Sequence, residues 1–368
     1  MAGVLVHEWI ATAGGSENVL EAMSRIYPDA DIWCLWNDSE GRFEPDRIHE
    51  TWLARSPLRR SKALALPFMP ATWRALKSGQ YDWALISSHL FAHHARFGGP
   101  NADIARFVYV HTPARYIWTP ELDMRGNGLA AQTAARAQKP LDRRRARETD
   151  QFAANSRFVQ RRIADAWGVD SRIIHPPVDV THIQAGQPWR DRLTGEDAAI
   201  FESLPSDYIL GASRFIPYKR LDLVIRTGEL TGRPVVLAGK GSEYDRLRVL
   251  AAQASVPVHF VIAPSQALLY ALYESAGLYV FPAVEDFGIM PVEAMAAGAP
   301  VLAQAVGGAS ESVVAGVTGA TTTFDDEADI CAGVDIALAT QRDARQEHAR
   351  AFAAERFADE ISTWVERR

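Results

Sequence analysis

Eleven short apolar runs lie at residues 4–7, 32–35, 83–87, 106–111, 151–155, 171–175, 208–212, 234–238, 258–262, 277–281 and 301–305, and longer helix-like stretches alternate with them. Runs this short suit strands buried on both faces. Their alternation with helical stretches predicts parallel sheets covered by helices on each side. A chain of 368 residues is too long for one small core, so two such domains are expected. Prolines, Gly186 and charged residues break the apolar pattern between 176 and 205, which places the boundary there. The expected architecture is α/β, with two Rossmann-like doubly wound domains facing across a cleft. Residues 1–190 would form the first domain and 191–350 the second, with 351–368 a final helix placed to cross back to the first.

The second half carries the most informative string, Glu285-Asp286-Phe287-Gly288-Ile289-Met290-Pro291-Val292-Glu293-Ala294-Met295-Ala296-Ala297-Gly298. The run at 277–281 precedes it, Pro291 suits a first helical turn, and Gly298-Ala299-Pro300 stops the helix. Glu285 therefore falls in a loop at a strand's carboxyl end, and Glu293 in the early helix that follows. Ligands bind at that level of an open α/β sheet.

This string resembles the Glu-x7-Glu segment of the family-4 retaining glycosyltransferases, which have the GT-B fold. Four further strings resemble the family in the expected order. Gly211-Ala212-Ser213-Arg214-Phe215-Ile216-Pro217-Tyr218-Lys219-Arg220 is similar to its Gly-Arg-x4-Lys-Gly stretch, with Arg220 where the family often has Gly. Gly14-Gly15-Ser16-Glu17 resembles the Gly-Gly-Ala/Ser-Glu loop that opens its first helix. His111-Thr112-Pro113-Ala114-Arg115-Tyr116-Ile117-Trp118 resembles the version found in bacterial surface-polysaccharide mannosyltransferases. Val306-Gly307-Gly308-Ala309-Ser310-Glu311 is similar to a Gly-Gly-x-x-Glu loop, a weaker site candidate.

The resemblance implies a metal-independent hexosyltransferase that uses a nucleotide-diphosphate sugar as co-substrate and no other cofactor. Arg214 and Lys219 would hold the diphosphate, a task suited to a guanidinium fork and an ammonium point charge. Glu285 would lie near the transferred sugar and Glu293 would bind ribose hydroxyls. The amides of Phe287, Gly288 and Ile289 open a helix and are available to sugar or phosphate oxygens. Gly239 would lie under the nucleotide and Ile262 at the level of the base. On the first half, His111 would contact a sugar hydroxyl or the acceptor, and Arg115 the acceptor or donor phosphates. Gly14 and Gly15 would allow close approach to a ligand, with Ser16 as helix N-cap. The acceptor would be a glycan, a lipid-linked or a small molecule. GDP-mannose is the donor to which the 111–118 string points, with UDP-sugars next.

Other readings narrow but do not vanish. A nucleotide-sugar epimerase or hydrolase, or a non-catalytic nucleotide-sugar-binding protein, would share the donor half. A dehydrogenase is disfavoured because Gly239-Lys240-Gly241 lacks the third glycine of a dinucleotide fingerprint. Asp29-Ala30-Asp31 mimics a metal motif but reads as a turn after Tyr27-Pro28. Residues 1–190 hold 24 Lys+Arg against 20 Asp+Glu, whereas the chain as a whole has net charge −6. A basic half hints at an anionic surface or acceptor, and ordinary solvated surface is the plain alternative. Leu58-Arg59-Arg60-Ser61-Lys62, ahead of an apolar and aromatic run ending at Trp73, reads equally as a membrane-surface element or a covered helix. Arg143-Arg144-Arg145 reads as a solvated helix face, and no nucleic-acid partner is expected. Cys34 and Cys331 are read as buried small hydrophobes. Two lone cysteines and an N-terminus without signal-peptide features suggest the cytoplasm, with peripheral contact at the inner membrane face.

Overall fold

Each of the eleven apolar runs forms a strand, and two further strands complete a pair of parallel sheets. The computed structural model describes residues 2–12, 14–77, 81–98, 104–119, 129–149 and 151–366, without the side chains of 129–135. The chain divides into two units, Met1–Pro177 with Glu355–Arg368, and Val178–Ala354.

The first unit holds β1 (Gly3–His7), β2 (Asp31–Cys34), β3 (Ile48–Glu50), β4 (Trp83–Ser88), β5 (Ala105–Val110), β6 (Phe152–Ala154) and β7 (Arg172–Ile173), in the order β3-β2-β1-β4-β5-β6-β7. The second holds β8 (Ile209–Ala212), β9 (Val235–Gly239), β10 (Val258–Ile262), β11 (Leu278–Phe281), β12 (Val301–Gln304) and β13 (Gly319–Thr322), in the order β10-β9-β8-β11-β12-β13. Every pairing is parallel. Strand order reverses between β1 and β4 in one sheet and between β8 and β11 in the other. Loops leaving adjacent strands in opposite directions open a crevice at such points.

The two strands without an apolar run have different origins. β3 is a partly exposed edge strand, so it lacks the continuous hydrophobicity of a central one. β13 reads Gly-Ala-Thr-Thr and tolerates no bulk at its start, where a Cβ on Gly319 would lie 2.1 Å from the Val301 carbonyl oxygen.

Helices pack by the expected stripe. Arg157–Trp167 buries Val159, Ile163, Ala166 and Trp167, spaced four, three and one apart. Ser156 caps its start by accepting from the Val159 N–H at 3.0 Å, and Gly168 ends it at φ +67°. The last helix, Ala354–Glu366, buries Phe357, Ile361, Trp364 and Val365 in a cluster with Leu5, Phe107, Tyr109 and Ile174 of the first unit.

The two units divide at Pro177/Val178, inside the 176–205 stretch and ahead of the 190/191 bound. Proline and glycine break the periodicity of 178–190, but Val178, Val180, Ile183 and Trp189 are buried in the second unit's core. Trp189 donates its backbone N–H to Glu274 and its indole N–H to the Ile183 carbonyl, each at 2.8 Å. Cys34 is buried as expected, whereas Cys331 is only partly covered. No helix among the described residues is long and apolar enough to cross a membrane.

Candidate functional site

In the second unit, the loop after β8 is tied to the loop after β9 by backbone hydrogen bonds. Phe215 N–H donates to the Lys240 carbonyl, and Glu243 N–H to the Phe215 carbonyl, both at 2.9 Å. That contact requires Gly239 and Gly241, at φ +145° and +155°, because a Cβ there would lie 1.9 Å from the Ser213 oxygen and 2.3 Å from the Phe215 oxygen. Ala263, at φ +49°, donates its N–H to the Gly239 carbonyl at 3.1 Å, leaving Ile262 half exposed at the end of β10.

The β8 loop then turns through Pro217–Lys219 into Arg220, which is left-handed at φ +50°. Glycine suits this conformation, and an L residue here costs about 1–2 kcal/mol. Arg220 bonds Asp222 through its guanidinium at 3.1–3.2 Å, an anchor glycine would lack. The turn delivers Lys219 inward while Arg214 stays exposed, its guanidinium donating to the Tyr218 hydroxyl at 3.0 Å.

Lys219 reaches across the switch point. Its ammonium lies 2.6 Å from Glu285 Oε1 in the loop after β11, and 5.3 Å from the centre of the Phe281 ring. The Gly307-Gly308 loop fixes the backbone of Glu285, since Gly308 N–H donates to the Glu285 carbonyl at 2.7 Å. A Cβ at Gly307 would meet that carbonyl at 2.8 Å, and one at Gly308 would meet the Asp286 oxygen at 2.0 Å. The 306–311 string thus positions Glu285 through main chain.

Gly288, at φ +86°, starts the helix Ile289–Ala297, which carries Glu293 one turn in. The Phe287 side chain is buried against Phe352 and so is not presented to a ligand. Burial raises the Glu293 carboxyl to about 7. Its charge in turn helps burial raise the phenols of Tyr270, Tyr273 and Tyr279, and Tyr279 also feels Glu285. This tyrosine cluster has no counterpart in the sequence reading, because its members lie on a helix and a strand that meet only in the fold.

In the first unit, the β1–β4 switch point carries three side chains in a row. His7 Nδ1 lies 3.0 Å from Ser87 Oγ, and Ser87 Oγ lies 2.8 Å from His111 Nε2. Parallel register makes the first contact, pairing His7 with Ser87. Asn155 holds the next residue's position from behind, donating to the His111 carbonyl at 3.0 Å. Burial lowers both His7 and His111 to about 3, so both rings are neutral at pH 7. One serine proton must serve this chain. His7 Nε2 is buried without a protein partner. A lone pair there costs less than an orphaned N–H. His7 therefore donates from Nδ1 to Ser87, Ser87 donates to His111 Nε2, and His111 carries its proton on Nδ1.

Ser16 does not cap the helix Gly15–Ile26, whose N-cap position is Gly14, two residues earlier. Its hydroxyl instead donates to Glu17 at 2.8 Å, and Glu17 also accepts from the Ala11 N–H at 3.3 Å. Arg115 opens the short helix Arg115–Trp118, four residues beyond His111.

A second polar cluster lies deeper. Asp142 Oδ2 accepts from the Trp118 and Trp167 indoles at 2.7 and 2.8 Å. Its Oδ1 faces His94 Nε2 at 2.9 Å and His93 Nε2 at 3.1 Å. His93, His94 and Asp142 are close enough to hold a metal ion. Two indole N–H groups and the His94 imidazole hydrogen-bond the carboxylate, and His93 Nε2 lies within ion-pair distance, so both carboxylate oxygens already have protein partners. Glu8 lies nearby, accepting from the Leu90 and Ala92 N–H groups at 2.8 Å. Burial outweighs those bonds and raises its carboxyl to about 7.

These groups set the acid response of the first unit. His7, His94 and His111 have folded values of about 3, 4 and 3 against 6.5, and burial lowers His89 as well. Depressed cationic groups contribute stability above 6.5 that is lost as pH falls toward their folded values. Glu8 acts oppositely, its contribution being lost as pH rises through about 7. The histidines outnumber it. Urea unfolding followed by tryptophan fluorescence should therefore show the first unit weaker at pH 5 than at pH 7. An equal or higher midpoint at pH 5 would contradict this balance.

Residues 197–355 match the family described as glycosyl transferases group 1, and residues 13–182 match glycosyltransferase family 4. Among curated proteins, the chain is 32% identical over 224 residues to the D-inositol 3-phosphate glycosyltransferase of Mycobacterium avium (strain 104), covering 56% of this chain and 51% of that protein. The corresponding protein of Geodermatophilus obscurus is 30% identical over 243 residues, covering 58% and 52%. The chain spans about half the length of these relatives. Among solved structures, Anabaena Alr3699/HepE in complex with UDP-glucose superposes with a TM-score of 0.73 at 18% identity, covering 100% of both chains. Sucrose-phosphate synthase from Thermosynechococcus elongatus gives 0.71 at 17% identity, covering 100% of this chain and 98% of that one. At such identities the likeness is one of fold.

Proposed function

The chain belongs to the group 1 glycosyltransferases, with a family 4 N-terminal half and the GT-B fold, and we propose that it transfers a hexose with retention from a nucleotide-diphosphate sugar. The observation that carries this reading is the Lys219 ammonium held 2.6 Å from Glu285 at the β8–β11 switch point. An ammonium has three donors, so two remain for diphosphate oxygens after one meets Glu285. Arg214 adds a second cation on the same loop, and together they supply the charge needed to stabilise a departing diphosphate without a metal. The Gly288 and Ile289 amides face the donor's sugar or phosphates, Glu293 takes ribose hydroxyls, and Gly239 and Ile262 flank the nucleoside.

In the proposed reaction the anomeric carbon–oxygen bond to the diphosphate breaks. The acceptor oxygen forms the new bond on the same face, and its proton passes to the leaving diphosphate oxygen. His111, neutral and protonated on Nδ1, serves as a hydrogen-bond donor to a substrate oxygen. Gly14, Gly15, Ser16 and Arg115 belong to the acceptor side or to the donor's phosphates. The relatives named for D-inositol 3-phosphate favour a phosphorylated polyol as acceptor. UDP-glucose in the structural neighbour favours a uridine donor, and the 111–118 string favours GDP-mannose.

Calorimetric titration with UDP-glucose and GDP-mannose tests this reading. One of them should bind, and affinity should rise as pH climbs through about 7, because only the ionised Glu293 accepts from two ribose hydroxyls. Glu293→Gln should weaken binding by roughly tenfold or more and flatten that pH dependence. Failure of both sugar nucleotides to bind, or an unchanged pH profile in the variant, would remove the proposed donor site.

A further inference from the structure

One surface of the first unit is unaccounted for by transfer chemistry. Residues 51–81 contain six Lys and Arg and no Asp or Glu, in a chain where acidic residues outnumber basic ones 45 to 39. The same segment carries every exposed large hydrophobic side chain of the first unit among the described residues, namely Trp52, Leu64 and Phe68. Chance scatter would distribute them over the surface.

The local fold explains their display. Trp52–Arg55 and Pro57–Arg60 are short 3-10 turns, followed by the helix Lys62–Ala65, another turn at Leu66–Phe68 and the helix Met69–Trp73. Leu53, Ala65, Met69 and Trp73 point inward and are buried in the core. That anchoring leaves Trp52 and Phe68 on the outside, where their rings meet edge to face at 6.3 Å, with Leu64 one turn before Phe68. Arg55 and Arg60 are exposed along the same segment. Arg59 is occupied by Asp38 at 2.7 Å and Lys62 lies over the Trp9 ring, so neither belongs to the free basic set.

We propose that the Trp52–Phe68 face docks on a bilayer surface containing anionic lipids. Tryptophan and phenylalanine at the headgroup level bury apolar area, while Arg55 and Arg60 meet lipid phosphates. No Asp or Glu occurs within the stretch, and Asp38 beside it is paired with Arg59, which reduces the repulsion that would otherwise oppose approach. Three apolar side chains and a few charges make a reversible, salt-sensitive attachment and not a permanent anchor. The docking is independent of the donor site, which lies on the other unit.

Flotation with phosphatidylcholine vesicles, with and without about 30 mol % phosphatidylglycerol, tests the proposal on the full chain. The protein should float with the anionic vesicles and be released by high salt. Trp52→Ser/Phe68→Ser and Arg55→Glu/Arg60→Glu should each lower the partition coefficient by about tenfold or more. Val249→Ser/Ile336→Ser, which removes exposed apolar groups from the second unit, should leave it unchanged. Thermal melts identify any variant that has lost its fold. No flotation with anionic vesicles, equal flotation with neutral ones, or folded 52/68 and 55/60 variants that float like the parent would each overturn the proposal.

Discussion

Replacing Lys219 by alanine is expected to lower kcat/KM for sugar transfer by roughly 10²–10³-fold, the loss typical of removing one preorganised group that stabilises developing charge. The lysine is largely buried and its ammonium is fixed by Glu285 at 2.6 Å, so no reorganisation is needed to present it to a diphosphate. Removing it also leaves Glu285 without its cation in a partly buried site, which could itself perturb the loop. The double variant Lys219→Ala/Glu285→Gln separates the two effects. It removes the uncompensated carboxylate, so it should restore the thermal midpoint but not the transfer rate. Lys219→Arg should recover activity only in part, because a planar fork does not fit the position of a compact ammonium. Steady-state kinetics with the donor found by calorimetry measure all three. A loss smaller than about tenfold in Lys219→Ala would mean that the diphosphate charge is stabilised elsewhere.

What could be read from the chain follows from the range of the forces involved. Strands buried on both faces announce themselves as apolar runs, so the two-sheet α/β fold was legible from strand–helix alternation. The loop–helix start at Gly288 was legible too, since glycine and Pro291 mark it locally. β3 and β13 were not, because an edge strand and a Gly-Ala-Thr-Thr strand are defined by their neighbours. The Lys219–Glu285 contact depends on β8 lying beside β11, an adjacency that strand order creates and local spacing does not. Ser16 is not the cap because the helix already begins at Gly15, which puts its hydroxyl inside the first turn, where it donates to Glu17. The division falls inside the 176–205 stretch but nearer its start than 190/191, because turn-forming residues between 178 and 190 conceal a sparse set of core anchors. Arg220 runs the other way. A departure visible in the sequence acquires its meaning only from a left-handed backbone and the bonds to Asp222.

Asp142 is the clearest case of a residue that carries weight without any sequence signal, and its replacement is expected to be severe for stability. Asp142→Ala should destabilise the first unit by about 3–5 kcal/mol, the range for stripping a buried charge from its partners. Two indole N–H groups and the His94 imidazole would lose their common acceptor, and His93 its counter-charge, in a region closed to water. Burial alone would raise the Asp142 carboxyl, but His93 and His94 outweigh it and hold the group well below the ordinary carboxylate range. The anion is therefore retained across the working pH range. Asp142→Asn should recover little, because an amide turns one of its two acceptor positions into a donor, so either the indoles or the imidazoles face an N–H. Asp165→Ala, an exposed site on the helix Arg157–Trp167, should stay within about 0.5 kcal/mol of the parent. Urea unfolding monitored by tryptophan fluorescence reads this unit selectively, since nine of the ten tryptophans lie in it. If Asp142→Ala shifted that transition by less than about 1 kcal/mol, the Asp142 anchor would be geometry without energetic consequence.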